Sequence, residues 1–161
     1  MSPEDNPRFI VDLNCGKLAK WLRMIGYDTK LFDHQDDKYL IHLALTENRI
    51  ILTRDTQMMQ RRIIAIGELK ALLVTSDDPL RQIQQVVKEL GLNFGFKPFS
   101  LCLECNRTLE KVSKENVKDR VPPYVYQNQT QYVECPHCHR VYWPGTHWQA
   151  MVKKLEKLAN S

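Results

Sequence analysis

Apolar residues follow two alternating rhythms over the first 92 positions. Four short runs, residues 8–11, 29–32, 49–53 and 71–75, are rich in Ile, Val, Leu or Phe and do not alternate cleanly with polar residues. Runs of this kind suit strands covered on both faces. Helical spacing lies between them. Leu18, Trp21, Leu22 and Ile25 form one stripe, and Gly26 stops it. Leu40, Leu43 and Ala44 form a second, with Asn48 near its end; a weaker stretch runs over 56–66 to Gly67. Leu80, Ile83, Val87 and Leu90 form the last before Gly91, with Asp78 as N-cap and Pro79 at the first helical position. This β-α alternation predicts an α/β fold with a small, mostly parallel sheet, right-handed crossovers and flanking helices.

The pattern breaks at 91–100, where two glycines and a proline fall without any period. The expected boundary separates a first domain, 1–98, from a second, 99–161. Residues 101–145 hold two CxxC pairs and short aromatic runs. From Thr146 the spacing of Met151, Val152, Leu155 and Leu158 predicts a C-terminal helix, with Thr146 and Gln149 as a capping box.

The 161 residues are 43% hydrophobic and 26% charged, enough for packed cores in one or two small domains. Residues 1–98 carry 14 Lys and Arg against 13 Asp and Glu, and residues 99–161 carry nine against six. The excess of positive charge therefore sits in the second part, which leans toward nucleic acid. No apolar run approaches the ~20 residues of a membrane span. The polar N-terminus has no signal-peptide core, so the cytoplasm is the expected compartment. Thiols stay reduced there, and the five cysteines read as ligands rather than disulfides.

Cys102 and Cys105 form one C-x2-C pair, Cys135 and Cys138 the other, with 29 residues between. Each such turn offers two sulfurs at the spacing zinc takes, and four close a tetrahedron, so the reading is a structural zinc ribbon with no open coordination position. The long gap predicts extra structure between the two turns. His137, His139 and His147 lie nearby, one of them an alternative ligand, and Cys15 stands apart as an incidental thiol.

Each predicted strand leads to an aspartate: Asp12, Asp33, Asp55 and Asp77, with Asp36 and Asp37 just beyond Asp33. Strand C-terminal ends line one edge of a parallel sheet, where sites are built. Gathered carboxylates raise one another's pKa and call for a hard cation, Mg2+ or Mn2+. Taken singly, such an aspartate more often caps the next helix; four in four strands favours a site. Lys17, Lys20 and Arg23 follow Asp12, and Arg54 precedes Asp55. Lys17, Arg23 and Arg54 are the candidate phosphate contacts, and a solvated helix face suits Lys20 better.

Three segments, D-x2-x-GKLAKWLR-x-x-GYDT from Asp12, DD-x-x-L-x-x-x-A-x-x-x-x-RIILTRD from Asp36, and CxxCN…CPxCxRVYWPGTHW, resemble the Mut-seven C-terminal RNase domain family. The resemblance runs from about Arg8 to Trp148. It implies a PIN-like nuclease domain joined to a zinc ribbon, with acidic residues that bind Mg2+ or Mn2+ and cut RNA. It maps the family acids onto Asp12, onto Asp37 with Ala44, and onto Asp55 with Thr53. The helical glutamate of larger PIN domains has no match; Glu47 is the nearest, and Asp33 or Asp77 is expected in its place. The ribbon would then present Arg107, Lys111, Arg140, Tyr142 and Trp143 to single-stranded RNA, unless the two aromatics form its own core. A non-catalytic RNA- or ribosome-binding adaptor is the rival reading, and a protein-docking role for the C-terminal helix is a third.

Overall fold

The computed structural model describes residues 6–33 and 36–159. Strands β1 (Phe9–Asp12), β2 (Thr29–Phe32), β3 (Ile50–Thr53) and β4 (Ala71–Leu73) form one sheet in the order β2-β1-β3-β4, parallel throughout. Helices α1 (Gly16–Ile25), α2 (Asp37–Thr46), α3 (Thr56–Met59), α4 (Arg62–Ala65) and α5 (Pro79–Leu90) flank it. Alternate strand residues feed opposite faces. Phe9, Val11 and Leu52 pack with Leu18 and Leu22 of α1 and Ile83 and Val86 of α5. Ile10 and Ile51 pack on the other face with Leu40 and Ala44 of α2 and Met58 of α3. Both faces are covered, which is why the strands carry continuous apolar runs.

Two elements differ from their expected form. The fourth strand ends at Leu73 rather than 75. Val74 N–H still reaches Thr53 O at 2.7 Å, but Thr75 N–H donates to the Gln85 side chain of α5 at 3.0 Å, leaving the ladder for a helix side chain. The helical stretch 56–66 is split at Arg61, whose ψ of 133° is extended. Its guanidinium turns back toward Asp37, 3.3 Å away.

The second part is a three-stranded antiparallel sheet, β5 (Glu110–Val112), β6 (Tyr132–Glu134) and β7 (Val141–Tyr142), in the order β5-β6-β7. The gap between the cysteine pairs holds a one-turn 3-10 helix (Glu115–Val117) and α6 (Pro123–Asn128). Val117, Val125 and the intervening Val121 make a small core with Tyr132. The last helix, α7 (Thr146–Ala159), returns to the first sheet: Leu155 is buried in the cluster of Phe9 and Leu22, with Trp148, Met151 and Leu158 beside it. The main core thus runs through the expected 98/99 boundary. Gln149 Nε2 donates to Pro144 O at 3.3 Å, a different contact from the expected capping box.

A polar joint ties the two sheets. Thr29 opens the outer strand β2. Its N–H donates to Asn106 Oδ1 at 2.9 Å, and its carbonyl accepts from Arg23 Nε at 2.9 Å. Arg23 Nη1 donates to Leu103 O at 2.7 Å, and Asn106 Nδ2 to Asp28 Oδ1 at 2.6 Å. Arg49 Nη1 closes the set on Asp28 at 2.8 Å. The joint therefore links the segments around β2 to residues 103–106. Gly26 ends α1 at φ 107°, and a Cβ there would lie 2.5 Å from Lys97 O, so the linker can cross the helix end only over a glycine.

Arg23→Ala leaves the buried Thr29 carbonyl and the half-buried Leu103 carbonyl without this donor, and it is expected to cost roughly 3 kcal/mol of stability, measured as a shift in urea midpoint. Asn106→Gly keeps the backbone conformation and deletes both side-chain bonds; it should cost roughly 1–3 kcal/mol in the same assay. Burial pushes the Asp28 carboxyl up, but the bonds from Arg49 and Asn106 outweigh it and hold its pKa below the ordinary 3.8. Its stabilisation is full above that value and is lost as pH falls below it, so urea melts at decreasing pH should weaken there in the native chain, and less so in Asn106→Gly.

Candidate functional site

The topology defines a crevice. From β1 the chain turns through α1 to β2 on one side, while β3 lies on the other side and leads away through α3. Neighbours β1 and β3 thus send their following helices to opposite faces, and ligands bind at such a switch point beyond the strand C-terminal ends. Asp12 ends β1 and Asp55 follows β3, so the two carboxylates flank it. Thr53 Oγ1 lies 3.4 Å from Asp12 Oδ2 and accepts from the Asp55 N–H at 3.0 Å. One hydroxyl therefore links the Asp12 carboxylate to the backbone of Asp55. Asp55 also caps α3, its Oδ1 accepting from Gln57 N–H at 2.9 Å.

The other acids spread out. Strands lie ~4.8 Å apart, so Asp33 after β2 is one strand spacing from Asp12, and Asp77 beyond β4 is two. Both are exposed. Asp36 takes the cap of α2, accepting from Lys38 N–H at 3.0 Å, which leaves Asp37 in the first turn. There Asp37 pairs with Arg61, a cation at this edge that nothing in the local spacing singles out. Glu47 sits at the far end of α2 and binds Lys30 and Arg49, at 3.0 and 2.7 Å, on the opposite edge of the sheet. Those bonds hold its carboxyl below the ordinary range.

Lys17 and Arg54 are exposed beside the crevice. The buried Cys15 thiol is pushed up to about 11 by burial and by the Asp12 charge, with Arg54 acting the other way, which places both groups within its electrostatic reach. Arg23 is elsewhere. It is 6% exposed and directs its donors to the joint at Thr29 and Leu103, so its expected role as a phosphate contact gives way to one inside the fold. Arg23 follows the buried Ala19 by four residues on one helix face, and residues 103–106 cover that face.

The cysteines do converge. The sulfurs of Cys102, Cys105, Cys135 and Cys138 lie within 4.8 Å of one another, and Cys102 and Cys138 are 3.7 Å apart. A tetrahedron of sulfurs ~2.3 Å from a zinc ion has edges of ~3.8 Å, so this donor set could hold one. Among the described residues it is the only group of three or more His, Cys, Asp or Glu ligand atoms at that spacing; the aspartates are more open.

The two turns are built alike. In the first, Cys102 N–H donates to Arg107 O at 2.8 Å and its carbonyl accepts from Asn106 N–H at 2.9 Å. In the second, Cys135 N–H donates to Arg140 O and its carbonyl accepts from His139 N–H, both at 2.9 Å. Asn106 and His139 hold equivalent positions with φ of 62° and 64°, a left-handed conformation that Asn and His enter more readily than most side chains. His139 is thus a turn residue rather than a ligand. Burial raises the Cys102 thiol, but hydrogen bonds from the Tyr142 hydroxyl and from the Cys105 and Glu104 amides bring it down to about 7. Burial and the neighbouring sulfurs push Cys105 up to about 12: a second thiolate is disfavoured until a cation joins the cluster. Tyr142 reaches Cys102 Sγ at 3.3 Å, and Trp143 packs edge-on against Tyr132, so both aromatics support the ribbon itself.

A family model described as the Mut7-C RNAse domain matches residues 7–155. Neither the curated proteins nor the solved structures yielded a match. Among the described residues no helix is long and apolar enough to cross a membrane.

Metal analysis is expected to give one zinc per chain, and none in Cys102→Ser/Cys135→Ser. Stripping zinc should lower the thermal midpoint, because structural zinc supplies folding free energy. It should also speed hydrogen exchange at the Thr29 amide, which is held by the first turn; unchanged exchange there would separate the ribbon from the sheet.

Proposed function

The chain belongs to the Mut7-C RNAse domain family, and from that premise we propose that it is a metal-dependent ribonuclease hydrolysing RNA phosphodiester bonds at its aspartate edge. The observation that carries this is the link from Asp12 through Thr53 to the Asp55 backbone at the crevice between β1 and β3. The hydroxyl fixes the Asp12 carboxylate against the Asp55 backbone at two neighbouring strand ends, and the two carboxylates there offer hard oxygen donors. Asp12, Asp55 and Asp37 would hold Mg2+ or Mn2+, with Asp33 on the neighbouring strand as a further donor. Such an ion supplies Lewis-acid stabilisation and a nucleophilic water for phosphodiester cleavage. Asp77, on the far side of β3, contributes least.

The chain's own side chains do the remaining work. Lys17 and Arg54 bind the phosphate and offset the charge that develops on its oxygens. Arg61 holds Asp37 by an ion pair between half-exposed groups, worth at most about 1 kcal/mol. A bound cation therefore competes for Asp37 with little opposition. Zinc among the four cysteines has a filled sphere and acts structurally, while the ribbon aids RNA binding through Arg107, Lys111 and Arg140, which are exposed.

One observation favours the adaptor reading: the aspartates are not drawn to ligand spacing, and Asp37 already has a cationic partner. An adaptor would bind RNA and leave it intact. The two are separated by incubating labelled single-stranded RNA with the protein and Mn2+ or EDTA. Cleavage should require Mn2+ or Mg2+ and fall at least ~100-fold in Asp12→Asn and Asp55→Asn. Cleavage that persists in both variants would remove the site, and intact RNA under every metal condition would leave the adaptor.

A further inference from the structure

Between α6 and α7 lies a groove of about 660 Å³ that the reaction at the aspartate edge does not use. Its walls are aromatic and apolar. Phe99 and Trp148 stack at 4.4 Å on one side, Trp143 and Met151 line the interior, and Tyr124 stands on the rim with 65% of its surface exposed. A cavity of this size and lining is of the kind that takes a ligand. Tyr124 is the exposed aromatic beside it, and Phe99, Trp143 and Trp148 are half-buried, so the aromatic wall is continuous with the surface.

The polar groups around it narrow the occupant. Lys20 and His147 line it, and Lys154 follows His147 by seven residues, on the same face of α7 two turns further on. Glu104 is the acid in the lining, and it is already paired with Lys20 at 3.0 Å. Both partners are about half exposed, so that pair is weak and Lys20 can exchange it for a phosphate. Asn128 and Gln129 add amide donors and acceptors at the mouth. Flat aromatic faces inside, amides at the mouth and cations outside suit nucleobases on an anionic backbone better than an aliphatic or acidic peptide.

Position connects the groove to the crevice. Lys20 lines the groove, and Lys17 lies one turn of α1 nearer to Asp12. At 1.5 Å rise per residue, Lys20 is only ~6 Å along α1 from Gly16, and the short turn Leu13–Cys15 joins that helix start to the end of β1. That distance falls within a single-stranded site of roughly four or more nucleotides.

We propose that the groove between α6 and α7 is a base-stacking subsite for single-stranded RNA, with the backbone passing over Lys20 and Lys17 toward Asp12. The proposal rests on the RNA-substrate reading above and gives that substrate a second contact, remote from the reacting phosphate. Bases stack there without regard to sequence, because each has a π face. Tyr124 supplies the exposed aromatic surface, and Trp143, packed on the ribbon core by one edge, forms the wall behind it.

The test measures binding with zinc retained and no added Mg2+ or Mn2+, so that no cleavage intervenes. A fluorescent oligouridylate of eight nucleotides and one of three are titrated with the full chain, and with Tyr124→Ala and Lys20→Gln. Tyr124 is exposed enough for truncation to leave the fold intact, which thermal melting checks. The eight-nucleotide probe should bind more tightly than the three-nucleotide one, and Tyr124→Ala should weaken it about tenfold, as expected for one stacked base. Lys20→Gln should reduce the salt dependence of binding. Ultraviolet cross-linking of the longer probe should map to residues 120–129 or 141–148. Unchanged affinity in a folded Tyr124→Ala, cross-links confined to other segments, or filling of the groove by a second copy in sedimentation would overturn the proposal. Cleavage by the native chain in Mn2+ is scored separately. A chain that cuts RNA while Tyr124→Ala binds normally loses the groove alone; one that binds through the groove and cuts nothing loses the nuclease reading alone.

Discussion

The structure depends on how the outer edge of the first sheet is closed. Strand β2 has β1 on one side only, and an uncovered edge presents unpaired backbone groups. At Thr29 those groups are taken by Asn106 of the first cysteine turn and by the buried Arg23. The turn can offer Asn106 only in a left-handed conformation, and it holds that conformation because Cys102 and its neighbours form a closed knuckle. Sheet edge, helix α1 and first cysteine turn are therefore one cooperative unit.

Charge follows the same arrangement. Four thiolates around one divalent cation leave a net charge of about −2. Burial lowers the Arg23 pKa, while Cys102, Glu104, Cys105 and Asp28 oppose that shift. A guanidinium almost without solvent contact is tolerable because these anions and two backbone carbonyls surround it. The cysteine turns thus act beyond the ribbon itself: the sulfurs of Cys102 and Cys105 help to keep a cation buried under the first sheet.

The joint is at the N-terminal ends of the strands, and the aspartates are at the C-terminal ends. This separation leaves the crevice between β1 and β3 open while the opposite edge is braced. Helix α1 runs between the two ends, with its apolar stripe in the core and Lys17 and Lys20 exposed outside. It is the element that lies between the ribbon, the groove beside α7 and the acid edge.

Periodicity, a local property, was enough to reveal the strands and most helices, because packing on two faces imposes it on the residues themselves. The CxxC turns were equally legible, since two residues between cysteines suffice to shape a knuckle. That aspartates follow the strands was visible, but which of them share a crevice depends on the strand order, a long-range outcome of crossovers. The distinction between Asp36 as a cap and Asp37 as a partner of Arg61 required the break in the helix at Arg61. Arg23 read as a surface cation because a helix stripe does not say what will cover it; residues 80 positions later did. Local spacing determined the elements and the four sulfurs. Only the tertiary structure decided which edge of the sheet stays open, because that edge is defined by contacts between segments far apart in the chain.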